Sequence, residues 1–134
     1  MSYVIELAQP VTIRQGSLTP AKKPAKSKSI QSAVVKPIEV PVKEYEIVLR
    51  VGIAFADKQL NKKGWFVDGE EFEAEVKKQA AYLASDVWST LFNFPPTFEM
   101  VTQWVCEQIT PLVKQVEYVE IENKTLGVVI QYVP

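Results

Sequence analysis

The chain has 134 residues, of which 47% are hydrophobic and 23% are charged, and its formal net charge at pH 7 is -1. This length and composition fit a single globular domain, residues 1–134, with a hydrophobic core. No apolar run approaches the length of a membrane span, and the N-terminus lacks the basic-then-apolar pattern of a signal peptide, so we expect a cytoplasmic protein.

Two scarce residue types restrict the chemistry. The sequence contains no histidine and one cysteine, Cys106. Without imidazole and with a single thiol, an ordinary zinc or copper site cannot be assembled, and a histidine-based acid, base or triad is excluded. We therefore predict no metal, no cofactor and no internal disulfide. We interpret Cys106 as a small buried hydrophobe within a helix rather than as a nucleophile.

The N-terminal part combines a strand with a lysine-rich segment. Apolar alternation from Tyr3 to Ile13 predicts a strand with a bend or bulge at Pro10. Residues 16–41 form a Lys/Pro/Ser-rich stretch for which we predict a mobile loop. Its four lysines are candidates for contact with nucleic acid or an acidic partner, but no aromatic residue or arginine pair accompanies them, so we favour a solvated loop. These lysines are Lys22, Lys23, Lys26 and Lys28.

Residues 43–55 give the clearest strand pattern in the chain. Six apolar residues alternate without interruption and predict a core face: Tyr45, Ile47, Leu49, Val51, Ile53 and Phe55. The residues between them are charged at the start of the strand and small and apolar at its end. Asp57 to Gly64 is typical of a polar turn.

Two helices follow this strand. Asp68 is the predicted N-cap of the first, with Glu71 completing a capping box, and the predicted buried stripe is Phe72, Val76, Ala80 and Leu83. Residues 82–92 either continue that helix or form a second short one. The acidic residues near its start, Glu70, Glu71, Glu73 and Glu75, complement the helix dipole and favour a solvated face over a cation site.

Thr97 is the predicted N-cap of the next helix, because its hydroxyl can accept a hydrogen bond from the first turn. Pro111 should end or kink this helix near Thr110, since proline removes an amide and clashes with the preceding turn. Its predicted apolar stripe is Phe98, Val101, Trp104, Val105, Ile109 and Leu112.

The C-terminal pattern returns to a period of two on both sides of Asn123 and Lys124, which predicts a hairpin. The order strand, strand, helix, helix, strand, strand predicts an α+β fold, with a four-stranded antiparallel sheet and both helices on one face. The other face is too apolar for a wholly wet surface, because it carries Val48, Gly52, Ala54, Gly127 and Val129. We therefore expect a homo-oligomer in which several sheets close edge to edge into a barrel.

Three segments resemble motifs of the 6-pyruvoyl-tetrahydropterin synthases and 6-carboxytetrahydropterin synthases. These segments are Gly64-Trp65-Phe66-Val67-Asp68 before the first helix, Pro96-Thr97-Phe98-Glu99 at the second, and Val119-Glu120-Ile121-Glu122 before a turn. The resemblance covers roughly residues 45–132, and it rests on the order and spacing of the motifs. It implies the tunnelling fold, with subunits assembled into barrels and ligand sites at subunit interfaces.

The sequence departs from this family at its catalytic positions. Those enzymes bind zinc through three histidines, and this chain has none. They use a cysteine base in the loop between the first two strands, where this chain has lysines, serines and prolines. Their Asp-His pair before the second helix corresponds to Asp86-Val87, which keeps only the carboxylate. The reaction of the family is therefore not supported.

The resemblance implies that Glu122 anchors a ligand. Its carboxylate can accept two hydrogen bonds from the amino and ring nitrogen groups of a pterin or guanine edge, and Thr97 can add a polar contact. Glu122 can equally be an acidic residue that ends a strand beside a turn, and both interpretations stay open.

Three hypotheses follow. The first is a non-catalytic, metal-free homo-oligomer that acts as a binding or scaffold protein with a residual pterin or purine pocket. The second is a metal-independent enzyme acting on a pterin or purine-like substrate, with Glu122 as anchor and Asp86 or a lysine as the acid–base group. The third is an unrelated small α+β module.

Overall fold

The computed structural model describes residues 2–16, 42–66, 68–113 and 115–134. One antiparallel sheet has the strand order β1-β2-β3-β4, and the α+β prediction is confirmed. The strands are β1 (Ser2–Gln15), β2 (Lys43–Ala56), β3 (Val116–Asn123) and β4 (Val128–Tyr132). The helices lie between β2 and β3 and are α1 (Gly69–Ala84), α2 (Trp88–Leu91) and α3 (Phe98–Ile109). The predicted lysine-rich loop lies, apart from Gly16, outside the described residues.

The pairing of β1 with β2 corrects the prediction made for Pro10. All 14 residues of β1 pair with β2 in an unbroken register, in which Pro10 lies opposite Val48. The bend or bulge predicted at Pro10 is therefore absent. In the described sheet β1 is an edge strand, and an edge position accommodates a residue that has no N–H to donate. The sheet's irregularity lies instead between Gly52 and Ile53, where the register of β2 with β3 shifts.

The core forms between one face of the sheet and the helices. The predicted core face of β2 is confirmed, since residues 47, 49, 51, 53 and 55 are buried and Tyr45 packs against them. The predicted stripe of α1 is also buried, as are Val101, Val105 and Ile109 of α3. Leu112 is an exception and is 40% exposed, because α3 has already ended at Ile109, two residues before Pro111. Cys106 is buried, in agreement with its interpretation as a small hydrophobe.

The two predicted helix caps have different outcomes. Thr97 has an extended backbone, and its Oγ1 accepts a hydrogen bond from the Met100 amide at 3.1 Å, which confirms the cap of α3. Asp68 is the N-cap residue of α1, as predicted, but its side chain makes no capping hydrogen bond. Its backbone, at φ -98° and ψ 16°, continues a turn closed by the bond from the Gly69 amide to the Phe66 carbonyl. Since a capping side chain is oriented by an extended backbone, the predicted capping box does not form.

Residues 82–92 contain the end of α1 and a second short helix, Trp88–Leu91, so α1 does not continue through this segment. α1 ends at Ala84, and Trp88 opens α2 as a fully buried side chain. The indole Nε1 of Trp88 donates to the Leu83 carbonyl at 2.9 Å, and the Tyr82 hydroxyl donates to the Leu91 carbonyl at the same distance. These bonds tie α2 back onto the end of α1. In the described ranges, no helix has the length and apolar character needed to cross a membrane.

Candidate functional site on the open face of the sheet

The helices pack on one face of the sheet, and alternate residues of each strand point to the other face. We call this second surface the open face. In the register of the strands it carries Val4, Glu6, Val48, Arg50, Gly52, Tyr118, Glu120, Glu122, Val129 and Gln131. Its margins are apolar and solvent-exposed, since Val4 is 65% and Val129 53% exposed. Its centre is charged.

Four charged residues meet at this centre, and we call them the arginine cluster: Arg50, Glu6, Glu120 and Glu122. Arg50 Nη1 lies 2.9 Å from Glu120 Oε2, and Arg50 Nη2 lies 2.8 Å from Glu122 Oε1. Arg50 Nε is more distant from Glu6 Oε1, at 3.9 Å. Three carboxylates against one guanidinium leave an excess of two negative charges on this surface.

The β2–β3 register brings this cluster together. Arg50 lies directly opposite Glu120, and Glu122 is two residues further along β3 on the same face. The hydrogen bond with Glu122 is the largest cause of a raised pKa of Arg50, while burial acts in the opposite direction and Glu120 adds a smaller increase. The guanidinium is therefore charged at any accessible pH, and it bridges the two carboxylates.

Tyr118 closes one side of the cluster. Its hydroxyl donates to Glu6 Oε2 at 2.5 Å, and this bond, with burial and the Glu6 charge, raises the pKa of Tyr118 to about 12. The phenol ring lies across Gly52 on the neighbouring strand, where any added Cβ would overlap the ring. Gly52 therefore allows Tyr118 to reach Glu6, which accounts for a glycine in the middle of this strand.

Glu122 lies where the sequence places it, near the end of β3, and its side chain is 30% exposed. It stands opposite Val48 on one side and Val129 on the other. Its Oε1 atom already has a partner in Arg50. Sequence reasoning did not identify Arg50, because alternation places it on the open face but does not reveal the register that pairs it with β3.

Thr97 lies on the opposite side of the sheet from Glu122. It begins α3, which packs on the core face, and its hydroxyl is engaged with the Met100 amide. Glu122 instead points away from the core that its neighbour Ile121 enters. Among the described residues no hydrogen bond links the two, so one chain does not bring them into a common site. Their roles as ligand contacts remain predictions.

Asp86 and the other acidic residues give less support for a catalytic or metal site. Asp86 is exposed, and its carboxylate accepts a hydrogen bond from the Val87 amide at 2.7 Å within a local turn. No contact in the described ranges brings a base or acid partner to it, so the enzyme hypothesis gains no support from Asp86. The described ranges also contain no group of three or more His, Cys, Asp or Glu residues arranged to hold a metal ion. In the arginine cluster, a guanidinium stands between the carboxylates.

Three surface clefts lie away from the arginine cluster. One lies beside Trp65 and the start of α1, one beside Tyr82 and Trp104, and one beside Cys106 and Tyr132. None of the three is lined by a residue of the arginine cluster. Because ligand sites are usually concave, we expect a ligand at Glu122 to need a second wall besides the sheet surface.

Comparison with known proteins identifies a solved structure with a similar fold. No protein-family model matches the sequence, and no curated protein matches it. The structure is similar to that of 6-pyruvoyl tetrahydropterin synthase from Caenorhabditis elegans, with a TM-score of 0.59 and 12% identity over 98% of this chain and 96% of that chain. The enzyme of the same name from Plasmodium vivax gives a TM-score of 0.46 and 12% identity over 98% and 99%.

The similarity to the Caenorhabditis elegans protein confirms the resemblance indicated by the sequence motifs at the level of the fold. The chain has the tunnelling fold, with its strands and helices in the order ββαααββ and the helices on one face of the antiparallel sheet. At 12% identity this similarity establishes the fold and leaves the function to be argued from the site.

Proposed function

We propose that this protein is a metal-free homo-oligomeric binding protein, in which Glu122 forms part of a site for a pterin or purine-like molecule between subunits. Support comes from one juxtaposition: Glu122 is a partly exposed carboxylate on the uncovered face of a sheet whose fold matches, over nearly its whole length, a 6-pyruvoyl tetrahydropterin synthase. The name of that enzyme refers to a pterin, and a pterin carries N–H groups that can donate hydrogen bonds to a carboxylate.

The chemistry of recognition is the pairing of one carboxylate with two adjacent N–H groups. A pterin or guanine presents an exocyclic amino group beside a ring N–H, and both can donate to the two oxygens of Glu122. Among the described residues, Oε1 of Glu122 contacts Arg50 and Oε2 contacts no donor. The carboxylate therefore has unused hydrogen-bonding capacity.

The two edges of the sheet support an oligomer. In the described chain β1 and β4 each pair on one side only, and each carries an exposed valine on the open face, Val4 and Val129. Unpaired strand edges favour pairing with another chain. Pairing β1 of one copy with β4 of the next is a head-to-tail contact that can close into a ring. Such a neighbour would provide the second wall that the open face needs.

The residues do not fit a zinc centre of the kind found in the enzymes that the motifs resemble. Three histidines hold the metal there, and this sequence has none. The nearest gathering of carboxylates on the open face is bridged by Arg50, whose positive charge opposes a bound cation. For this reason we propose binding rather than synthase chemistry.

The proposal is tested by measuring the mass of the full chain in solution and the effect of pterin and guanosine on its melting temperature. We expect a closed multimer, and a melting temperature that rises at millimolar ligand. The rise should be lost in Glu122→Gln and kept in Glu46→Gln, because Glu46 is an exposed glutamate of the same face outside the arginine cluster. A monomer, or an equal response in both variants, would contradict the proposal.

A further inference from the structure

We propose that Arg50 is an internal ligand of Glu122: its guanidinium occupies one of the two carboxylate oxygens, Oε1, and an incoming molecule that pairs with both oxygens must displace it. This role would make Arg50 the residue that determines specificity at the site, and to that extent it rests on the proposed function. The comparison is chemical. A guanidinium presents planar, adjacent N–H donors, which is the same pattern that a pterin or guanine edge presents to a carboxylate.

The distances show that one of the two oxygens of Glu122 is already occupied. Arg50 Nη2 lies 2.8 Å from Glu122 Oε1, within the range of a charge-assisted hydrogen bond. The side chains of Arg50 and Glu122 are 25% and 30% exposed, so the pair is partly shielded from water. A neutral ligand edge therefore competes against a charged donor that is already in place.

The three carboxylates of the cluster differ in how firmly they are held. Glu120 accepts a second hydrogen bond from Gln131 Nε2 at 3.1 Å, and Glu6 accepts one from the Tyr118 hydroxyl. Glu122 has Arg50 as its one partner among the described residues. Glu122 is thus the member of the cluster whose partner can be exchanged without breaking another contact.

Exchange at Glu122 also leaves Arg50 satisfied. When a ligand takes Glu122, the bond from Arg50 Nη1 to Glu120 Oε2 can persist, so the guanidinium is not left as an unpaired charge. The cost of displacement is then the loss of one charge-assisted bond. The wild-type protein should accordingly bind neutral pterins or purines weakly, and removal of Arg50 should strengthen binding by about tenfold or more.

The experiment uses guanidinium ion as a probe that needs no pterin. We expect Arg50→Ala to melt at a lower temperature than the wild type, and low millimolar guanidinium chloride to raise its melting temperature relative to sodium chloride of equal concentration. The rise should be absent in the double variant Arg50→Ala/Glu122→Gln. It should also be absent in Arg14→Ala, which removes an exposed arginine from the same face outside the cluster.

Pterin binding to the same proteins completes the test. Tighter binding by Arg50→Ala than by the wild type supports the internal ligand, whereas equal affinities, or no guanidinium-specific rise in Arg50→Ala, would overturn it. A guanidinium rise without pterin binding by either protein supports the internal ligand and counts against the proposed pterin site. If Arg50→Ala does not fold, Arg50→Met replaces it, because methionine retains the apolar stem of the side chain. The same results are expected for Arg50→Met.

Discussion

The two faces of the sheet are built by the same strands but have opposite character. On β2, Leu49 and Val51 are fully buried under the helices, while Arg50 between them points to the other face and holds two glutamates. The core face is mainly apolar, and Asn123 is a buried polar residue on it. The open face has charges at its centre and exposed valines at its margins.

This difference separates stability from recognition. Burial of apolar side chains is the dominant stabilising contribution, and it is concentrated on the core face. The charged groups of the open face remain partly solvated, so we expect their ion pairs to contribute less to stability than the buried apolar side chains. Substitutions on the core side should therefore act mainly on the free energy of unfolding, and substitutions at the arginine cluster mainly on what the surface binds.

The largest expected effect tests the core side. Trp88 is fully buried, and its Nε1 donates to the Leu83 carbonyl. Trp88→Ala should lower the free energy of unfolding by about 3–5 kcal/mol, because it removes buried apolar area, leaves a cavity and orphans a carbonyl. Urea unfolding followed by circular dichroism measures this change.

Trp65 supplies the matched control. It is 66% exposed, and its ring contacts Lys63 Nζ at 5.9 Å from the centroid. Trp65→Ala should change the free energy of unfolding by no more than about 0.5 kcal/mol. Equal losses in the two variants would show that the burial of Trp88 does not carry the stability assigned to it.

Features of the fold that depend on local sequence were predictable. The apolar alternation of β2 predicts a strand, and the hydroxyl of Thr97 predicts the start of a helix. Each prediction needs only a few neighbouring residues. The arginine cluster was not predictable in this way, because Arg50 and Glu120 are 70 positions apart and meet only through the register of β2 with β3. Glu122 was identified through its motif, but the motif says nothing about the guanidinium that it contacts.

The failed predictions have a similar cause. Asp68 has the right side chain for a cap but stands in a turn set by Phe66 and Gly69. Pro10 lacks an amide, and its effect on the strand depends on whether that strand lies at an edge of the sheet. In both cases the surrounding backbone decided the outcome, and the residue type alone does not report it.

A smaller effect is expected on the open face where the Tyr118 ring packs against Gly52. Gly52→Ala would drive a Cβ into the Tyr118 ring, so either the ring or the strand must move. We expect a loss of about 1–3 kcal/mol in the free energy of unfolding. Tyr118→Ala removes the ring and therefore the overlap. Adding Gly52→Ala to Tyr118→Ala should lower the free energy of unfolding by less than adding Gly52→Ala to the wild type does. Additive losses would mean that the ring does not require the glycine.

The helix caps give a pair of still smaller effects on the core side. Thr97→Ala removes the hydrogen bond to the Met100 amide and should lower the free energy of unfolding by about 1 kcal/mol. Asp68→Ala removes a side chain that makes no capping bond, so it should cost less, about 0.5 kcal/mol or below. The same urea titrations measure both losses. A larger loss in Asp68→Ala than in Thr97→Ala would contradict the conclusion that Thr97, and not Asp68, makes a capping hydrogen bond.

The last expected effect belongs to the open face and appears only at high pH. In the folded protein the bond to Glu6 raises the pKa of Tyr118 to about 12, whereas the unfolded chain has the ordinary value of 10.0. The folded state therefore retains this proton more strongly, so the stabilising contribution is present below pH 10 and is lost as the pH rises through about 12. Titration of tyrosinate absorbance should show a late step that is missing in Tyr118→Phe. Glu6→Gln removes the charged acceptor and should move that step toward the ordinary range, and an unmoved step would show that burial, not Glu6, holds the proton.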